Sequence, residues 1–263
     1  MSHFILLRQR IKVIETIKKT TGAMRLISMS LHSRLRNQKS SLEAYAHEIR
    51  RIKEAVVQEA IGSKIPEVEQ TTNTPTRLVV LIGSQKGLCG AFNENLFRFF
   101  EKEYKITGNE QIITVGKYAT EYIKKQGIKP LRAFDQFGIS NFVAIADQLK
   151  KLFLERSQQA RIFSNSAPTF FSQKPKEHSL VSLQASHAEL LSYLASLELK
   201  STFLHILHES LLAEQAARFV SMDLAFRNAD EVLNQTRLDY NKTRQAYVTR
   251  ELIELSGGMV AQE

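Results

Sequence analysis

The sequence predicts an α/β protein in which long N- and C-terminal helices pair as an antiparallel coiled coil around a central α/β domain. Three observations predict it: where the breaking residues fall, how apolar runs alternate in the middle, and how apolar residues are spaced at both ends. All five prolines and eight of the eleven glycines lie between Gly62 and Pro175. From Ala23 to Ile61, and again from Lys176 to Ser256, there is neither. Stretches of that length without a breaker suit long helices and do not suit sheets or loops.

The N-terminal helix is expected over residues 1–62. Leu7, Ile11, Ile14, Ile17, Thr21, Met24, Ser28, Leu31 and Leu35 recur at steps of three and four, the spacing of a coiled-coil seam. Arg10, Lys18 and Arg25 are expected to face outward.

The central domain is expected over residues 76–170. Arg77–Gly83 has the continuous apolar pattern of a buried strand, and a turn at Ser84–Gly90 and a helix near Asn93–Lys105 follow it. Gln111–Gly116 reads as a second strand, Lys117–Gln126 as a helix, Ile128–Phe134 as a third strand, Asn141–Ser157 as a helix and Arg161–Ser164 as a strand. Strands alternating with helices of this length imply a mostly parallel, Rossmann-like sheet.

The C-terminal part is expected over residues 176–263. Polar clusters at His178–Ser179 and Ser192 should divide it into at least two helices, the last spanning 209–256. Its stripe is Val220, Leu224, Ala225, Ala229, Val232, Thr236, Tyr240, Thr243 and Tyr247, and Gly257-Gly258 should cap it.

Composition narrows the function. The 43% hydrophobic and 24% charged residues are ordinary for a chain that forms a core. Apolar runs such as Leu78–Ile82 are too short to span a bilayer, and the start lacks the pattern of a secretory signal. One cysteine, Cys89, excludes an internal disulfide and fits a reducing compartment. The net charge of +9 calls for an acidic partner, and it is concentrated: residues 1–39 carry nine Lys/Arg against Glu15 alone. From Glu209 onward, nine acids outnumber six bases.

Catalytic patterns are missing. The turn Ser84–Gly90 sits where a nucleotide fold would bind phosphate, but it has neither GxGxxG nor GxxxxGK[ST] spacing. It reads better as a tight turn that needs glycine dihedrals, with Cys89 as a small turn residue. His205 and His208 have helical i, i+3 spacing without a third metal-ligand pattern. The sequence therefore predicts no catalytic residue, no cofactor-binding residue and no metal site.

Three blocks in order carry a family resemblance. The first contains R-x-R-I (Arg8 to Ile11), Thr21, Ala23-Met24 and Ser30; the second is S-x-K-G-L-C-G-A-F-N (Ser84 to Asn93). The third contains N-A-D-E-V from Asn228, Y-N-K-x-R-Q-A (Tyr240 to Ala246), Thr249, E-L-I-E-L (Glu251 to Leu255) and Gly257-Gly258. The chain resembles the gamma subunit of F-type ATP synthases, the central rotor shaft, in a divergent and short form. Gln85 stands where the family's turn has Asp, and Gly22 and Leu31 replace common lysines.

The resemblance implies a non-catalytic central-stalk subunit that couples ion flow, such as hydrogen ion transport, to rotational ATP synthesis or hydrolysis in the catalytic head. It implies the alpha and beta subunits, the epsilon subunit and the c-subunit ring as partners, and no cofactor. It implies a peripheral position on the cytoplasmic side of the bacterial inner membrane. Partner contacts carried over by resemblance are Met24, Arg25, Lys86, Arg218, Arg244, Gln245, Thr249 and Glu251. The alternative is a basic coiled-coil protein that binds nucleic acid or is purely structural. Against nucleic acid, the basic helix has no aromatic residue between Phe4 and Tyr45.

Overall fold

The computed structural model describes residues 2–61, 77–105, 111–156, 159–181 and 189–260. The elements run α1 (Ser2–Ile61), β1 (Arg77–Ile82), α2 (Phe92–Glu103), β2 (Gln111–Val115), α3 (Lys117–Lys125) and β3 (Arg132–Phe134). They continue with α4 (Phe142–Arg156), β4 (Gln159–Thr169), β5 (Ser172–Val181) and α5 (Glu189–Val260). The chain forms two compact units: Ser28–Arg218, and Met1–Ile27 with Phe219–Glu263. The domain limits expected between 62 and 76 lie outside the described residues.

In the larger unit, five strands lie in the order β3-β2-β1-β4-β5. β1 pairs in parallel with β2 and β4, β2 pairs in parallel with β3, and only β5 is antiparallel, against β4. Strand residues alternate between faces, so an unbroken apolar strand must be covered on both sides. Leu78, Val80 and Ile82 pack with Phe142, Ile145, Leu149 and Phe153 of α4, Phe203, Leu207 and Leu211 of α5, and Leu35 of α1. Val79 and Leu81 face the other way, against Leu96 and Phe100 of α2 and Ala119 and Ile123 of α3. Helices on both faces of a parallel-dominated sheet make the central domain Rossmann-like, as the alternation predicts.

Several boundaries are corrected. The C-terminal breaker-free stretch does not begin as a helix: His178 and Ser179 pair across to Ile162 and Arg161 within β5. The turn into β5, Phe170-Phe171, has no glycine, proline or asparagine to announce it. Ser192 lies inside α5, and the division into several helices is absent there. Gly257 and Gly258 are themselves helical, because glycine permits a left-handed stop without forcing one. β3 is only three residues long, so most of the expected Ile128–Phe134 strand is loop.

In the smaller unit the two helices run antiparallel. Phe4 stacks on Tyr240 at 4.7 Å, Ile14 clusters with Ala229 and Leu233, and Arg25 meets Asp223. Here too the expected faces are corrected. Ile17 is exposed, whereas Lys18 and Arg25 are half-buried beside the seam. On α5, Leu224 and Val232 are exposed, while Met222 and Leu233 are buried. Positions 7, 11, 14, 18, 21 and 25 keep the 3.5-residue repeat that two supercoiled helices share, and Ile17 falls off it.

Candidate functional site

The turn after β1 is built from its own polar side chains. The backbone N–H of Ser84 donates to Asn93 Oδ1 at 3.0 Å, and Asn93 Nδ2 donates to Ser84 Oγ at 2.7 Å. Ser84 Oγ in turn donates to the Lys86 carbonyl at 2.9 Å. Gly90 has φ +59°, the left-handed region that favours glycine, and a Cβ on Gly87 would lie 2.5 Å from the Tyr118 hydroxyl. Gly90 is therefore favoured by its backbone conformation, as the tight-turn reading expects, whereas Gly87 makes room for the end of the exposed Tyr118 side chain. Leu88 adopts φ +64° without being glycine, and its side chain is exposed.

Cys89 is buried against Phe92, Ala213 and Ala217, with Ala167 beside them. Burial pushes its thiol pKa up, which favours the unreactive protonated form. In a doubly wound sheet, ligands enter where neighbouring connections leave in opposite directions, here at the carboxyl ends of β1 and β4. In this chain that position is filled by side chains. Asn165 of β4 donates to the Phe92 carbonyl at 2.9 Å, closing the crevice from the other strand.

Arg218 completes the arrangement. Its Nη2 donates to the Lys86 carbonyl at 3.1 Å and its Nε to the Gly87 carbonyl at 3.4 Å, and it pairs with Glu214 one helical turn earlier. Burial pushes the Glu214 carboxyl up, and the Arg218 guanidinium opposes that shift. The guanidinium expected to meet a partner is thus turned inward, with only 9% of the side chain exposed. Lys86 itself is exposed at the outside of the turn.

The remaining expected contacts lie in the smaller unit. Met24 is half-buried, and Arg25 is tied to Asp223 at 2.7 Å. Asp223 also accepts from Arg227, and the hydrogen bond from Arg25, ahead of the neighbouring charge of Arg227, holds its carboxyl below the usual range. Lys18 and Arg25 both approach the Phe226 ring, at 5.4 and 4.7 Å from its centroid. Gly22 makes room for that ring, since a Cβ there would come within 3.2 Å of it. Arg244, Gln245, Thr249 and Glu251 are all exposed. They lie beyond Tyr240, the residue facing Phe4, so α5 has almost no α1 left to pair with there.

The structure therefore separates the expected contacts into three groups: Lys86 and Arg218 at the turn, Met24 and Arg25 on the seam, and four residues on the α5 extension. Sequence reasoning missed Glu214, Asn93, Phe226 and the acids Asp223 and Asp230. The available signal was the spacing: Lys18 and Arg25 are seven apart on α1, and Asp223, Asp230 and Arg237 are seven apart on α5. Among the described residues, no group of three or more His, Cys, Asp or Glu is placed to hold a metal ion.

Comparison with known proteins agrees with this architecture. A family model described as ATP synthase matches residues 5–261. An ATP synthase gamma chain of Christiangramia forsetii is 29% identical, over 97% of each chain. An ATP synthase gamma chain of Clostridium perfringens is 28% identical, over 98% of this chain and 97% of its own. In structure, a chain of the Euglena gracilis mitochondrial ATP synthase assembly of OSCP, F1 and c-ring superposes with a TM-score of 0.72 at 18% identity. That match covers 99% of this chain and 95% of the other. A chain of the rotor of the same organism's enzyme gives 0.70 at 17% identity, over 94% and 99%. With a family match from residue 5 to residue 261, the chain belongs to the ATP synthase family, and these curated relatives within it are gamma chains.

Proposed function

We propose that this chain is the non-catalytic central-stalk subunit of an F-type ATP synthase, turning inside a head of alpha and beta subunits. The observation that carries the reading is the pair of long helices, α1 and α5, that both begin or end in the α/β unit and form the antiparallel coil. A coiled coil resists twist because its seam side chains interlock, and its two unlike helices present a different surface in each direction. Each orientation would then stabilise a different conformation of the surrounding catalytic sites, a population shift driven by rotation. The filled crevice at β1 and β4 supports a subunit that does no nucleotide chemistry of its own.

The α5 extension supports an enclosing partner. Val248, Leu252 and Ile253 are exposed on a segment with little helix beside it. A single helix of that length is marginal in water, so a surrounding sleeve would stabilise it. Arg244, Gln245, Thr249 and Glu251 would provide its polar contacts. Lys86, Met24 and Arg25 would lie along the path of the head's loops, with Arg218 supporting Lys86 from within.

The α/β unit would dock on the epsilon subunit and the c-ring, placing the chain peripherally on the cytoplasmic face of a bacterial membrane. No helix among the described residues is long and apolar enough to cross a membrane. The test is assembly: the isolated chain should not hydrolyse ATP, whereas mixing it with alpha and beta subunits should give a complex containing one copy per head. ATP turnover by the purified chain alone would contradict the reading.

The nucleic-acid alternative loses its best argument in the smaller unit. Lys18 and Arg25 are already paired with acids of α5, so the basic helix offers less free charge than its sequence suggests.

A further inference from the structure

Arg218 is placed to do something other than touch a partner. It and Glu214 lie one helical turn apart on the same face of α5, and both are buried. The guanidinium spans two consecutive carbonyls of the Ser84–Gly90 turn, those of Lys86 and Gly87. Arginine's planar fork can hold two acceptors and a carboxylate at once, which a lysine ammonium on a flexible stem does poorly. The small side chains of Ala213 and Ala217 let α5 approach Cys89 and Phe92 closely. The turn's other bonds run to itself, to α2 through Ser84 and Asn93, and to α3, where the Tyr118 N–H donates to the Ser84 carbonyl at 3.2 Å.

We propose that Arg218 is a positioning residue, a buried latch that fixes the glycine turn to α5 so that turn and helix move as one piece. The position along the chain gives the latch its use. Arg218 is the last residue of the larger unit along the chain, so the latch ties the turn to α5 at that limit. The exposed Lys86 and Leu88 ride on the latched turn. Glu214 holds the guanidinium in the orientation that reaches both carbonyls. The latch is a property of the isolated chain; it stands or falls separately from the central-stalk reading.

Cys89 provides the reporter. It is the only thiol, 3% exposed, and lies under the turn, with its Sγ 3.9 Å from the Lys86 carbonyl. Opening the latch should uncover it while the sheet remains folded, a local opening rather than global unfolding. The experiment measures the rate of native-state alkylation of Cys89 by N-ethylmaleimide in the full chain. Arg218→Met should react faster by on the order of tenfold, because two hydrogen bonds from a charged donor are lost. Arg218→Lys should recover part of the protection. Lys200→Met, which breaks the 2.7 Å pair with Asp147 elsewhere in the same unit, should leave the rate unchanged.

If Arg218→Met fails to fold, Glu214→Gln replaces it. That change keeps the size of the side chain but removes the charge that orients the guanidinium, and it should speed alkylation several-fold. For the faster variant, the rate should be insensitive to low urea, because a local opening exposes little new surface. An unchanged rate in the latch variant, an equal increase in Lys200→Met, or a rate that rises steeply with urea would each overturn the latch.

Discussion

Arg25 Nη1 lies 2.7 Å from Asp223 Oδ1, and seven residues along each helix Lys18 Nζ repeats the contact with Asp230 Oδ1 at 2.5 Å. A third rung, between Arg237 and Glu15 at 2.6 Å, reverses the charges. The reversal fixes register: sliding the helices by a heptad one way would bring Glu15 toward Asp230, and sliding them the other way would bring Lys18 toward Arg237. Like-charge rungs of that kind disfavour the wrong pairing even when the correct pairs add little stability.

The ladder can be tested by reversal. Lys18→Glu places a carboxylate opposite Asp230 and should lower stability by about 1 kcal/mol at low salt. Combining it with Asp230→Lys should restore most of the loss. Thermal melts of the unsubstituted chain and the single and double variants at low and high salt make the check, and the differences should shrink as salt screens the partly exposed charges.

The apolar seam should be far less tolerant. Ile14 is buried against Ala229 and Leu233, so Ile14→Asp should cost roughly 2–5 kcal/mol through lost packing and an unpaired carboxylate. Lys19 is exposed, and Lys19→Glu should change stability by less than about 0.5 kcal/mol. Equal losses in urea unfolding would mean that the faces are misassigned.

Acid should weaken the larger unit through its buried histidines. Burial first, and then Lys176 and His205, lower the pKa of His178 from 6.5 to about 4. Between those values the unfolded chain binds a proton that the folded chain refuses, so stability falls as pH drops through the window. His32 and His208 are shifted in the same direction, chiefly by burial, and add to the slope. Melting temperature measured from pH 7 to pH 4 should decline, and the decline should be shallower in His178→Gln.

On the α5 extension, replacing Arg244 and Gln245 together by alanine should leave the melting temperature of the isolated chain unchanged, because both are exposed. Coupled ATP synthesis in the reconstituted enzyme should fall. Normal synthesis would remove these two residues from the contact surface without affecting the fold.

Much of this architecture is legible in the sequence because its strongest signals are local. The unbroken run Leu78–Ile82 required cover on both faces, and the breaker-free ends required helices. Strand β5 was not legible: Ser172–Val181 is polar, lies at a sheet edge, and pairs with β4 by backbone bonds that no side-chain pattern announces. The ladder was hidden for a different reason. Lys18 and Arg25 look like surface residues until acids on a helix about two hundred residues away neutralise them. Arg218 shows the same limit, because its orientation toward the turn depends on two carbonyls brought together only by the fold.

As a central stalk, this chain should turn inside its head. Phe171, at the tip of the β4–β5 hairpin, is 77% exposed and accepts a probe without disturbing the core. A Phe171→Cys variant, labelled there while buried Cys89 stays unreactive, would be assembled with alpha and beta subunits fixed to a surface. Single-molecule imaging during ATP hydrolysis should show the probe rotating in one direction in discrete steps. A complex that hydrolyses ATP at full rate while the probe stays still would contradict the account.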